Sequence, residues 1–587
     1  MKISYFLEIN RPETHYVKIR ITIDDYPEDI LQLTMPAWNP GSYAIRNFSR
    51  NVRGLTASSN GSNLETSKKD KSTWKIMTGR RTPIQVQYEV YAAENIPPAS
   101  YVDHSRATIN GTSVFLYPEG YREQTVEITI SGPPTWTIST ALDKISEGRY
   151  RATNYDILVD SPIEIGRQTM YSFKVDGKDH EVAVYGNDIE DRDKFIQDIQ
   201  KIVEAYLRVM GPLPYRRYLF IIHLIRNYSM KYWGLEHTYS TVINFNSALV
   251  KDKEGYAILL DVVSHEFFHL WNVRRIRPAE FSAINFKEEV YTPSLWFSEG
   301  VTEYYASLAL LRSGLISETE YLKVMADSIR TYELLPGRKY YSAAEASFDA
   351  WIRYYARGVA NDNVNSYTSY YLKGLLIGMI LNLRILGLTR GEKSLDTLLR
   401  LMMEKYRRDG RGFTEKELVQ NLKEVTGADL TDLIQSLVRR RDDIDFVSEL
   451  KAVGLDLKPV KNGEKRISTG LILRKSGENY FVNSVLEGTS AWESGLSPDD
   501  EIIAVGTTRF RETFTKKVMN GTLTADLTVD SVPPDSAGKI VYHVFRGEEL
   551  LSFTIQASAD PFFTYSLESV QDAPEPTVSL RKKFLYG

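Results

Sequence analysis

The segment Val263-Ser264-His265-Glu266-Phe267-Phe268-His269-Leu270-Trp271-Asn272 constrains this chain more tightly than any other. Apolar residues surround two histidines four positions apart, and only a helix turns that spacing into a site. At 3.6 residues per turn His265 and His269 project from one face, and Glu266 sits beside them. Two imidazoles so placed can share one metal ion, so the sequence predicts a buried helix whose polar edge is a metal site.

Composition narrows the rest. At 587 residues the chain exceeds one hydrophobic core, and about 150 residues per domain suggests three or four. With 42% hydrophobic and 25% charged residues most of it should fold, and a net charge of -4 gives no electrostatic footprint for nucleic acid. The run Arg439-Arg440-Arg441 is followed at once by Asp442-Asp443 and reads as a solvated helix end. There is no cysteine, so a thiol nucleophile, disulfides and Cys-ligated zinc are excluded, and any zinc ligands must be His, Asp or Glu. Acidic residues and Pro12 interrupt the N-terminus before a signal-like apolar run forms, and no stretch approaches the roughly 18 apolar residues of a membrane span. The expectation is a soluble, cytoplasmic protein with no nucleic-acid or membrane partner.

The chain reads as a multidomain α+β protein. Residues 1–170 alternate like strands, as in Val17-Lys18-Ile19-Arg20-Ile21-Thr22-Ile23, with turns such as Asn39-Pro40-Gly41 between them, giving an N-terminal all-β domain. Residues 171–448 read as a mostly helical domain, with helical periods over Phe195–Val209, Tyr256–Val273, Phe297–Ser313 and Tyr367–Leu386. A capping box at Thr414 to Glu417 opens another helix there. Residues 449–560 revert to short strands, and Gly488 to Ile503 resembles a bacterial-type PDZ domain, with a short helix from near Ser490 and a Gly-Leu turn. That likeness implies capture of a protein C-terminus at the backbone N–H groups of Gly470, Leu471 and Ile472. Residues 561–587 read as a tail.

A catalytic zinc takes three protein ligands and leaves a position for water, so two histidines are one short. A metzincin would place a third His six residues after His269, where Arg275 stands, so that pattern is excluded. Downstream, Leu295-Trp296-Phe297-Ser298-Glu299-Gly300-Val301-Thr302-Glu303 sets two acids four apart in an apolar stretch. A buried carboxylate needs a metal or cationic partner, which makes Glu299 the third ligand. Glu303, one turn on, is the candidate to accept the N–H of a ligating histidine.

These motifs together, with Met35-Pro36-Ala37-Trp38-Asn39-Pro40-Gly41-Ser42-Tyr43, resemble the glycyl aminopeptidase family of gluzincin metallopeptidases over nearly the whole chain. The resemblance implies a thermolysin-like catalytic domain between a β domain and a PDZ domain, and one zinc ion per chain. Through the related alanyl-type aminopeptidases, Tyr371-Leu372-Lys373-Gly374 is similar to a Tyr-x-Lys-Gly motif. Its tyrosine, Tyr371 with Tyr370 as rival, donates to the oxyanion. Trp233-Gly234-Leu235-Glu236-His237 is similar to the Gly-x-Met-Glu-Asn exopeptidase motif, with Leu and His replacing Met and Asn. It implies that backbone at Gly234 lies along the substrate and that Glu236 binds its α-ammonium, with His237 as a further substrate contact.

The implied activity is zinc-dependent removal of N-terminal residues from peptides, with Glu266 as general base. Preference for small residues such as Gly or Ala comes from the resemblance alone. The alternatives are a zinc endopeptidase fed by the PDZ domain and a non-catalytic peptide-binding scaffold.

Overall fold

Strand alternation accounts for the N-terminal part. In Tyr16–Asp24 the inward side chains Val17, Ile19, Ile21 and Ile23 are all buried while the intervening residues stay more open. This strand pairs antiparallel with Lys2–Glu8, which in turn pairs parallel with Val126–Ser131, at the centre of an eight-stranded sheet. Two four-stranded sheets close over the same core. The computed structural model describes residues 1–354, 363–460, 466–519, 526–557, 561 and 563–587. They form two compact units, Met1–Tyr291 with Tyr406–Gly412, and Thr292–Lys405 with Phe413–Gly587.

The first unit also holds a five-stranded sheet in the order Thr169–Val175, Lys178–Tyr185, Arg217–Ile225, Ser240–Asn246, Tyr232–Glu236. The sequence reading placed mostly helix here. Arg217–Ile225 is paired in parallel on both sides and buried along its length, so its side chains form one apolar run. Such a run carries no period of two and cannot be told from a helix by pattern. Tyr232–Glu236 is the antiparallel edge strand, and the HExxH helix, Lys253–Phe268, packs on it. Asp252 caps that helix by accepting from the Gly255 N–H.

In the second unit the segment around Glu299 is not regular α-helix. Trp296–Val301 is a π-helical turn that passes into the α-helix Thr302–Arg312. It meets the helix Tyr370–Leu388 at two glycines: a Cβ on Gly300 would lie 2.3 Å from Gly374 Cα, and one on Gly374 would lie 2.2 Å from the Trp296 carbonyl. Only glycine permits this approach, so the Ser-Glu-Gly and Tyr-Leu-Lys-Gly motifs are locked together through their backbones. Among the described residues, Tyr370–Leu388 is one helix long and apolar enough to cross a membrane, but 78% of its most apolar window is buried inside the protein. It is the core helix of this unit. The capping box forms as expected, with Thr414 and Glu417 exchanging hydrogen bonds.

The C-terminal strands form a sheet in which Leu471–Ser476 lies between Asp526–Asp530 and Asn479–Val485. A short helix, Ser490–Ser494, is capped by Thr489 and stopped by Gly495 at φ 89°, as its sequence suggests. The segment read as a tail is structured. Thr564–Ser569 pairs with Leu455–Val460, and the helix Glu575–Tyr586 buries Phe584 and Leu585 against Tyr370–Leu388 and Thr302–Arg312. Its apolar residues gather at the end, in Phe584-Leu585-Tyr586, and form no helical stripe that a periodicity reading could find.

Candidate active site

His265 and His269 are buried on one face of their helix, with their Nε2 atoms 3.0 Å apart. Metal–nitrogen bonds of about 2.0–2.1 Å place two ligands of one tetrahedral ion roughly 3.3 Å apart, so the pair fits a shared metal. His269 Nδ1 donates to the Asn272 carbonyl at 2.8 Å, which leaves Nε2 as a lone-pair donor. The sequence reading gave such a tautomer-fixing role to Glu303; for His269 the chain uses its own backbone. To turn that carbonyl inward the next residue, Val273, adopts φ 128°. A β-branched side chain there costs of order 1–3 kcal/mol, strain typical of a functional site.

The carboxylates of Glu236 and Glu266 and a ring nitrogen of His269 all lie within 4.8 Å of one another, and all three residues are buried. Gly234, on the edge strand, makes this possible, since a Cβ there would stand 2.0 Å from Glu266 Oε1. Gly41 plays the same part for Glu236. Its φ is +95°, and a Cβ would lie 2.5 Å from Glu236 Oε2. The loop is held by Asn39, whose Nδ2 donates to Asn110 Oδ1 at 2.5 Å and to Thr112 Oγ1 at 2.9 Å. In the sequence Met35 to Tyr43 is legible only as a family marker; in the fold its Gly41 walls the Glu236 carboxylate.

Arg274 ties this corner together. It donates to the Glu236 carbonyl, sits 3.0 Å from Asp160 Oδ1, and its Nε lies 4.0 Å from Glu236 Oε1. Asp160 also meets His237 Nδ1 at 3.1 Å and accepts the Thr238 N–H at 2.9 Å. Burial pushes the Asp160 carboxyl up, but Arg274 and His237 overcome this and hold it at about 2. His237, read as a substrate contact, is 1% exposed and turned onto Asp160, so it braces the loop after Glu236 instead. A cavity of about 400 Å³ opens beside Glu236, walled by Trp38, Tyr43, Phe281, Asp160, Arg274 and Arg277.

In the second unit Glu299 is 2% exposed within the π-turn, and Glu303, at 8%, is buried as well and not on a solvated face. Tyr371 is half-buried and stacks near Tyr354 and Tyr370 at centroid distances of 5.1 and 4.8 Å. Its rival Tyr370 is fully buried, so Tyr371 is the ring with an accessible edge. Lys373 is buried too, and burial holds its ammonium down at about 8.

The loop assigned to a peptide carboxylate already holds one from within the chain. Asp530 accepts from Ser468 Oγ at 2.6 Å, Thr469 N at 2.9 Å, Leu471 N at 3.2 Å and Tyr542 O–H at 2.6 Å. Ile472 pairs with Val529, so the strand edge beside the loop is covered by Asp526–Asp530. Leu471 N thus serves Asp530, Gly470 N donates to Ser468 Oγ at 3.2 Å, and Ile472 is paired within the sheet. The sequence reading missed this because Asp530 lies about sixty residues downstream, a separation of 59 from Leu471.

Comparison with known proteins places these features. A model of the Peptidase M61 N-terminal domain matches residues 4–167, and the M61 glycyl aminopeptidase model matches residues 258–377. The crystal structure of an aminopeptidase N family protein from Idiomarina loihiensis is similar at TM-score 0.89 and 27% identity, covering 99% of this chain and 100% of that one. An M1 zinc metallopeptidase from Deinococcus radiodurans is similar at TM-score 0.46 and 13% identity, covering 76% of this chain and 94% of that one. No curated protein matches the sequence.

Proposed function

We propose, for a chain that belongs to the M61 glycyl aminopeptidase family of metallopeptidases, that it is a zinc-dependent aminopeptidase removing single residues from peptide N-termini. One observation carries the reading: Glu236, Glu266 and His269 converge within 4.8 Å. A peptide's terminal amine and its first carbonyl are separated by one residue, about 3.8 Å between successive Cα atoms. An anion for the amine and a base for the attacking water are therefore spaced for cleavage after residue one.

His265 and His269 would hold one zinc ion, with Glu299 as the third ligand. A zinc ion held there supplies Lewis-acid activation of water and of the scissile carbonyl. Glu266 accepts the proton of the attacking water and delivers it to the leaving amine. Tyr371 donates its O–H where negative charge develops on the carbonyl oxygen. Glu236 binds the α-ammonium, and Gly234 gives the substrate backbone room to lie along the edge strand. The N-terminal β domain shapes the amine site through Gly41.

Metal content and hydrolysis of glycyl and alanyl anilides, each free and N-acetylated, test the reading. It requires one zinc per chain and turnover of the free amines alone. Equal cleavage of acetylated substrates, or full activity after chelation, would overturn it.

A further inference from the structure

The cavity beside Glu236 is far larger than a glycine or alanine needs. Its volume of about 400 Å³ lies within the roughly 300–1,000 Å³ of small-molecule sites. Tyr43 and Phe281, stacked at 6.0 Å between centroids, form one wall with Trp38 nearby. Glu236 lies at its edge, so a peptide whose amine rests on Glu236 places its first side chain at the mouth of this space.

The charges around the cavity are not all settled. Asp156 is gripped twice by Arg122, at 2.9 and 2.6 Å. Asp160 and Glu236 share Arg274. Among the described residues Arg277 has no carboxylate partner: its Nη2 reaches the Gly410 carbonyl at 3.4 Å, and its buried Nε has no hydrogen-bond partner. Burial and then the neighbouring Arg274 work against its charge, with a smaller opposing pull from Asp160. Of the three arginines here, Arg122 and Arg274 each hold a carboxylate and Arg277 holds none among the described residues. A carboxylate on the substrate's first side chain gives Arg277 an anion in a planar, two-point geometry.

We propose that the cavity is the pocket for the first side chain and that Arg277 receives the carboxylate of an N-terminal aspartate or glutamate there. The proposal rests on Glu236 being the amine anchor. The aromatic wall covers the methylene of the substrate side chain, and the arginines exclude an N-terminal lysine or arginine by like charge.

The test is kcat/KM of the zinc-loaded full chain on aspartyl, glutamyl, leucyl, alanyl and lysyl anilides, for the natural protein and for Arg277→Met and Arg277→Lys. The expected result is a natural protein that cleaves an acidic anilide at least tenfold better than leucyl or lysyl. Arg277→Met should lower the acidic-to-alanyl ratio at least tenfold, and Arg277→Lys should recover part of it. Acidic anilides cleaved no better than leucyl by the natural protein overturn the proposal, whether or not the variants fold. So does an unchanged acidic-to-alanyl ratio in Arg277→Met. Glu236→Gln separates the two readings: undiminished turnover of every free-amine anilide in that variant removes the amine anchor, whatever the Arg277 variants show.

Discussion

Glu266 fits where it does because Gly234 has no side chain: a Cβ on Gly234 would stand 2.0 Å from Glu266 Oε1 and 2.3 Å from its Cδ. The edge strand and the HExxH helix thus meet at the reacting carboxylate itself. Gly234→Ala must move Glu266 or the strand. The expected outcome is a loss of kcat of at least a hundredfold, with metal content retained, since positioned proton transfer contributes about 10²–10⁴-fold. Steady-state kinetics alongside metal analysis check this, and a variant with natural kcat would show that Glu266 does not act from this position.

Glu266→Gln tests the same proton transfer without moving the strand. The amide keeps the volume but cannot take a proton, so kcat should fall by about 10²–10⁴-fold while zinc content stays equal to that of the natural protein. His269→Ala should instead remove the metal, because it deletes the ring nitrogen that the Asn272 carbonyl prepares as a donor. Atomic absorption on the two purified variants separates base from ligand.

What was legible in the sequence follows from distance along the chain. His265, Glu266 and His269 lie within one turn and a half of helix, so spacing alone revealed their shared face. The capping box at Thr414 and the short helix at Ser490 are equally local. Gly41 facing Glu236, Asp160 facing Arg274 and Asp530 in the Ser468–Leu471 loop join segments remote in sequence, and no pattern in any one segment marks them. Val273 at positive φ is hidden for a different reason: a β-branched residue is the last that sequence would place there. The strand Arg217–Ile225 was obscured because burial on both faces erases alternation.

Asp160 predicts an acid-sensitive corner. Its carboxyl sits at about 2 in the folded chain against 3.8 ordinarily, so the folded state binds the proton more weakly than the unfolded one. The stability this contributes is complete above the unfolded value and is lost as pH falls from about 4 to about 2. At about 1.4 kcal/mol per pKa unit the contribution is about 2 kcal/mol. Asp160→Asn should lose most of that at neutral pH, because Arg274 is then left without its closest acid. Denaturation followed from pH 7 to pH 2.5 should show a shallower acid-side fall for the variant than for the natural protein; parallel curves would place the acid sensitivity elsewhere.

Asp530 predicts a local effect in the C-terminal sheet. Its carboxylate satisfies the backbone N–H groups of Thr469 and Leu471 together with the hydroxyls of Ser468 and Tyr542, all inside the protein. Asp530→Ala takes the acceptor from the Thr469 and Leu471 N–H groups, and stranding a buried polar group costs about 1–3 kcal/mol. Hydrogen exchange at Thr469 and Leu471 should therefore quicken by at least tenfold in the variant, while the amides of Lys253–Phe268, in the other unit, keep their protection. The same carboxylate should exclude others, so a peptide ending in a free carboxylate should not alter exchange at Thr469 or Leu471 in the natural protein. Slowed exchange on adding such a peptide would show that the loop does take up chain ends and that Asp530 gives way to them.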